Sequence, residues 1–280
     1  MTPDPGFILR FPQGKRKALV MSYDDGSEHD RRVVGLLNDY GLRGTFHLNS
    51  RRLGTAHHVS KGEVQTLYRG HEVAVHGANH LDLTTLSDAE IDREIADDQR
   101  ALEDLVGAAV RGLAYPFGRY DEHVIGRLPA LGLVYARTAH TTGGFGLPER
   151  PLALRTSCHH NEALELGAQF LEHDGAEMAL LYVWGHSFEL DGFLSADPRK
   201  DWDYFEAFCR LVHGRPDVHY ATTLDVLDYL TAARVVRASS ATGQLRNDAH
   251  RAVWLSHDGR LFEIRPGEGL DLADGLPPRP

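Results

Sequence analysis

Cysteine is nearly absent from this 280-residue chain: only Cys158 and Cys209 occur, which permits one disulfide and excludes a disulfide framework. Their spacing fits no metal site, and both read as small apolar residues. No apolar run is long enough to span a bilayer. The first residues, Met1-Thr2-Pro3-Asp4-Pro5-Gly6, carry neither the basic nor the apolar stretch of a secretory signal, so a cytoplasmic location is expected. Positive charge is in deficit: 30 Lys and Arg face 40 Asp and Glu, a net charge of −10. No basic patch stands out, which argues against a nucleic-acid or anionic-membrane partner. No internal repeat is visible.

What is present suits a soluble globular chain. Apolar residues make up 42% and charged residues 25%. The length allows one barrel-sized domain and a small appendage. Seventeen histidines is a high number, yet most are expected on the surface or in the core.

Along the chain, short apolar runs alternate with helical patterns. Strands are expected at 18–21, 44–48, 72–75, 112–115, 133–136, 152–156, 178–184 and 218–222. Between them, Asp30 is expected to cap a helix carrying Val33, Val34, Leu36 and Leu37, and Gly41 to end it. Ser87 and Glu90 form a capping box at the head of a helix running to Val106, with Ile91, Ile95 and Leu102 on one face. Further helices are expected near 61–68, 121–131, 161–172, 201–213 and 224–233. Eight strands in βα order imply an α/β fold with a parallel sheet, closed as a (β/α) barrel over residues 1–234. Beyond Ala233 the pattern changes to short strands separated by Gly243, Asp258-Gly259 and Pro266-Gly267. Asp258-Gly259 is a strong hairpin signal. Residues 235–280 therefore read as a small C-terminal β appendage with a frayed Pro-rich end.

Two stretches organise the rest. Tyr23-Asp24-Asp25-Gly26 follows the first strand, and His76-Gly77-Ala78-Asn79-His80 follows the third. If those strands are parallel neighbours, their carboxyl ends bring both aspartates and both histidines to one rim, where α/β proteins place their sites. One carboxylate and two imidazoles make a three-ligand set for a divalent metal with an open position for water. The other carboxylate is then available as a base. An Asp-Asp-Gly alone is usually a turn, and two histidines three residues apart often coincide by accident. Here each pair directly follows a strand, as do Tyr115-Pro116-Phe117-Gly118 and His186.

In this order, Tyr23-Asp24-Asp25-Gly26, His76-Gly77-Ala78-Asn79-His80, Tyr115-Pro116-Phe117-Gly118 and Tyr182-Val183-Trp184-Gly185-His186 resemble the motifs of the polysaccharide deacetylase family, the NodB-homology group or carbohydrate esterase family 4. The resemblance covers roughly Ala18 to Leu230. It implies a distorted (β/α) barrel and metal-dependent removal of acetyl groups, that is, a hydrolase of carbon–nitrogen bonds other than peptide bonds. It further implies one divalent metal, Zn²⁺ or another transition metal, held by Asp25, His76 and His80. Asp24 matches the catalytic base and His186 the catalytic acid. The Phe117 N–H matches an oxyanion donor, with Tyr115 beside it, and Trp184 lines the acetyl pocket. The implied partner is an acetylated saccharide or a small acetamide.

Two elements of the family's pattern are missing. The arginine that pairs with the base normally lies two residues before the motif proline, where this chain has Ala114; Arg111, Arg119 and Arg137 are substitutes within reach. The Asp-Trp pair that orients the acid histidine is not found ahead of His186, since Asp201-Trp202 follows it; Glu189 or Asp191 is available instead. His71 reads as a structural strand-start residue, and His57, His58, His159 and His160 as loop histidines, with His159 or His160 the alternative candidate to face the pocket. Tyr204, Phe205 and Phe208 read as core. The rival functions are an O-acetyl esterase, an amidase on a non-sugar substrate, or a non-catalytic carbohydrate-binding relative.

Overall fold

The computed structural model describes residues 7–192, 197, 199, 201–239 and 244–271. The strands are β1 Ile8–Arg10, β2 Lys17–Asp24, β3 Gly44–Leu48, β4 Glu72–Val75, β5 Gly112–Ala114, β6 Tyr135–Thr141, β7 Leu154–Thr156, β8 Cys158–His159, β9 Ala179–His186 and β10 Val218–Tyr220. Five more follow: β11 Val236–Ser239, β12 Gln244–Asn247, β13 Val253–His257, β14 Arg260–Ile264 and β15 Gly269–Asp271. The helices are α1 Asp30–Asp39, α2 Val64–Leu67, α3 Asp88–Val106, α4 Glu122–Arg127, α5 Ala163–Glu172, α6 Trp202–Val212 and α7 Thr223–Arg234.

β2 to β10 form one parallel sheet in the order β7-β6-β5-β4-β3-β2-β9-β8, with β10 also on β2. The sheet closes on itself through one extended segment. Leu154 to Thr156 pairs with β6, while Cys158 and His159 pair with Val183 and Trp184 of β9. Between them the Ser157 N–H donates to the Tyr182 carbonyl at 2.8 Å. The barrel thus has seven staves and not eight. β10 pairs only with Lys17, Ala18 and Leu19, below the stretch of β2 that β3 takes from Met21 to Asp24.

Strand alternation sorts the side chains into two cores. Leu19, Met21 and Tyr23 of β2 point outward and join Val33, Leu37, Ile91, Ile95, Phe205 and Phe208 beneath the helices. Ala18 and Val20 point inward and meet Ala74, Tyr135, Leu154, Leu180 and Tyr182. The same inward face continues up β2 as Ser22 and Asp24, opposite Trp184 and His186 of β9. The barrel interior is therefore apolar at its floor and polar at the carboxyl ends of its strands.

β13 and β14 form the expected hairpin, with Asp258 and Gly259 both at positive φ. β1 joins this hairpin, Leu9 opposite Leu255, so Ile8 to Arg10 belongs to a sheet with the tail and not with the barrel. β11, β12 and β15 make a third small sheet. Gly243 and the Pro-rich end lie outside the described residues. Among the described residues, no helix is long and apolar enough to cross a membrane. Cys158 and Cys209 are buried and unpaired with each other.

Candidate metal and active site

Asp24 ends β2 and points into the barrel, buried. Plain alternation would turn Asp25 to the opposite face. Its left-handed φ of 77° breaks the alternation and keeps its carboxylate at the rim. His80 (φ 61°) and Phe117 (φ 58°) are in the same region of backbone space. Left-handed non-glycine residues each cost on the order of 1 kcal/mol, and these three converge on one place.

Asp25 Oδ1 lies 3.7 Å from His76 Nε2 and 3.6 Å from His80 Nε2. It is buried and makes no hydrogen bond. The His76 Nδ1–H donates to the Ala114 carbonyl at 2.8 Å, so its Nε2 carries the lone pair facing Asp25. Burial lowers both imidazoles below their ordinary pKa, His80 to about 4 with His76 beside it as a second cause, which keeps them neutral. Two neutral imidazole nitrogens and one bare carboxylate oxygen, all within 4.8 Å of one another, fit a divalent transition metal.

Asp24 stands next to this set, its Oδ2 4.0 Å from His76 Nε2. The Arg137 guanidinium, itself buried, bridges both Asp24 oxygens. His47 Nδ1 lies 3.3 Å from Asp24 Oδ1. Burial works to raise the Asp24 carboxyl, but Arg137, His76 and His47 carry it well below the usual carboxylate range. Of the candidate arginines, Arg119 turns outward to Asp82 at 2.7 Å and does not reach Asp24. Arg137 succeeds because it sits directly across from Ala114 in the β5–β6 register, where the small side chain leaves it room.

The Phe117 ring lies 4.4 Å from that of His80 and is 62% exposed, so the turn Pro116–Gly118 borders the ligand set and offers an open apolar surface. Trp184 stacks on the Arg137 guanidinium at 4.8 Å and lies edge-on to His186. His186 Nε2 lies 4.0 Å from Asp25 Oδ2. Burial opposes charge on His186, yet Glu189, Asp24 and Asp25 raise its pKa above the ordinary value. Tyr115 is a correction: its hydroxyl donates to the Leu152 carbonyl at 2.7 Å and its ring stacks on Tyr120, so its side chain points away from the rim. For His159 and His160 the structure replaces the plain loop reading with the alternative one: both flank Glu189, beside His186. Asp30 is a second correction: it does not cap α1 but accepts from the Tyr68 and Ser187 hydroxyls. His71 is structural as expected, accepting from the Gly44 N–H.

Several supporting residues escape a reading of motifs. Asn49 Nδ2 donates to the carbonyls of His76 and Gly77, both at 2.7 Å. Asp98 accepts from the N–H groups of Ser50 and His76, and Glu94 accepts from the Asn79 N–H and side-chain amide. Glu94 and Asp98 are i,i+4 neighbours on the buried face of α3 with Ile91, Ile95 and Leu102. Carboxylates on an apolar stripe were the signal that could have revealed them.

The polysaccharide deacetylase family profile matches residues 12–136, which bears out the resemblance drawn from the motifs. Chitin deacetylase 1 of Cryptococcus neoformans is 29% identical over 127 residues, covering 44% of this chain and 26% of that protein. The chain spans less than half the length of the curated relatives it matches. A candidate polysaccharide deacetylase from Mycobacterium smegmatis shares the fold, with a TM-score of 0.59 at 19% identity over 84% of this chain and 96% of that one. So does a pseudoenzyme of carbohydrate esterase family 4 from Bacillus anthracis, with a TM-score of 0.51 at 16% identity over 81% of this chain and 70% of that one. Fold alone therefore leaves activity to the side chains.

Proposed function

We propose that this protein is a metal-dependent deacetylase that hydrolyses the acetamide of an N-acetylated saccharide. The observation that carries the reading is the convergence of Asp25 Oδ1 with His76 and His80 Nε2, beside a second carboxylate that Arg137 keeps ionised. Asp25, His76 and His80 would hold a divalent ion, Zn²⁺ suiting the nitrogen-rich set. When bound, such an ion polarises an acetyl carbonyl and lowers the pKa of water towards ~7.

The chain's own groups supply the rest. Asp24 accepts a proton from the attacking water as its oxygen bonds to the acetyl carbon. The Phe117 N–H donates to the oxyanion that develops. His186, whose pKa its carboxylate neighbours raise, gives its proton to the leaving nitrogen as the C–N bond breaks. The products are acetate and a free amine. The exposed Phe117 ring beside His80 gives a sugar face something to stack on.

The test is acetate release from N-acetylglucosamine oligomers by the zinc-loaded protein and by Asp24→Asn. Wild type should turn over, and the variant should bind zinc unchanged while losing on the order of 10²–10⁴-fold in kcat. A variant with near-wild-type kcat removes Asp24 as the base. Zinc-loaded wild type that releases no acetate removes the deacetylase reading itself.

A further inference from the structure

The turn after β9 holds a second cluster, on the Nδ1 side of His186. Glu189 Oε2 lies 3.0 Å from His159 Nε2, 3.3 Å from His160 Nε2 and 3.7 Å from His186 Nδ1. Three imidazoles thus surround one carboxylate oxygen, well inside the protein. We infer that Glu189, braced by His159 and His160, is the positioning residue of His186, in place of the missing Asp-Trp pair. This rests on the deacetylase reading of the site.

The rival carboxylate is otherwise engaged. Asp191 Oδ1 accepts from the Trp202 indole at 2.5 Å, and its Oδ2 lies 2.7 Å from His29 Nε2. Those contacts pin one end of the turn Ser187–Leu190, and the Ser187 hydroxyl pins the other on Asp30. Glu189 therefore sits on a turn fixed at both ends.

The bracing histidines are fixed as well. β8 delivers them by pairing with β9 immediately below His186. His159 Nδ1 lies 3.0 Å from Asn161 Oδ1, and its ring stands edge-on to Trp184. His160 is buried against Gly185, where any Cβ would come within 2.2 Å of its Nδ1. The glycine of the Trp184-Gly185-His186 motif thus makes space for the brace.

A carboxylate at Nδ1 accepts the Nδ1–H and so fixes the ring with Nε2, the nitrogen that must hold the transferable proton, toward Asp25 and the substrate. At 3.7 Å the contact is longer than a hydrogen bond, and such contacts shorten when a substrate fills the site. Positioning of this kind matters when the leaving group needs a proton. It matters little for a phenolate that departs unaided.

The experiment compares zinc-loaded wild type, Glu189→Gln, Glu189→Asp and His159→Gln on N-acetylglucosamine oligomers and on 4-nitrophenyl acetate. Glu189→Gln should lower kcat on the amide on the order of 10²-fold, with KM and zinc content little changed, and lower the aryl ester rate far less. Glu189→Asp should restore part of the amide rate, and His159→Gln should lose about tenfold. ¹⁵N spectra of the histidines should show Nδ1-protonated His186 in wild type and loss of that form in Glu189→Gln. Equal losses on amide and ester, or an unchanged His186 resonance, overturn the inference. So does a second bound zinc equivalent lost in Glu189→Gln, which would make the cluster a metal site. If wild type releases no acetate from the oligomers, the deacetylase reading fails, and the spectra alone decide the role of Glu189.

Discussion

Arg137 and Asp24 form a buried ion pair drawn from strands that are not neighbours, and at this scale each partner is the other's justification. Arg137→Ala leaves a buried carboxylate without its guanidinium and should cost about 3–5 kcal/mol in denaturant unfolding. Adding Asp24→Asn to that variant should cost less than the sum of the single changes, because the pair is coupled. Additive losses would contradict the pairing. Asp30 gives a second residue-level prediction. Burial raises its carboxyl to about 7, against the ~3.9 expected unfolded. The folded state therefore holds this proton more tightly, so the group's stabilising contribution is complete below about pH 4 and is lost as pH rises through about 7. Asp30→Asn should abolish that slope, seen as urea midpoints at pH 5 and pH 8 that lie closer together than in wild type. An unchanged slope would show that Asp30 is not the group.

Helix α3 ties local sequence to the site at the scale of elements. Its capping box of Ser87 and Glu90 forms as the sequence spacing implies. Two turns on, Glu94 and Asp98 hold the backbone of the His76–His80 loop. Asp98→Ala should weaken zinc binding about 10–100-fold by isothermal titration, although Asp98 touches no metal. Unchanged affinity would mean that Asn49 and Glu94 fix the loop without Asp98. The elements were largely legible: β3, β4 and α3 have the bounds that apolar runs and caps imply. What stayed hidden is long-range. No local pattern says that Arg137 fills the space above Ala114, because that depends on β5–β6 register. Nor does any say that His159 and His160 reach Glu189, which depends on how β8 closes the ring. β1 is not legible locally because three residues carry too little periodicity to register as a strand.

For the whole molecule, the floor of the barrel and the tail are joined by shared packing. The Tyr229 hydroxyl of α7 accepts from the Trp254 N–H of β13 and donates to the Arg10 carbonyl of β1. Trp254 and Leu9 pack on the inner core cluster. Deleting residues 235–280 should therefore lower the melting temperature while leaving zinc stoichiometry intact, since the ligands lie at the opposite end of the strands. Loss of zinc in a folded truncation would contradict that separation. The proposed function depends on Asp25, His76 and His80 sharing one ion. Zinc K-edge X-ray absorption of the loaded full chain tests this most directly. The account predicts one zinc per chain with two imidazole nitrogens and oxygen at about 2.0–2.1 Å, and loss of the imidazole scattering in His76→Ala and His80→Ala. A zinc signal that survives both substitutions unchanged, or no bound zinc at all, would contradict it.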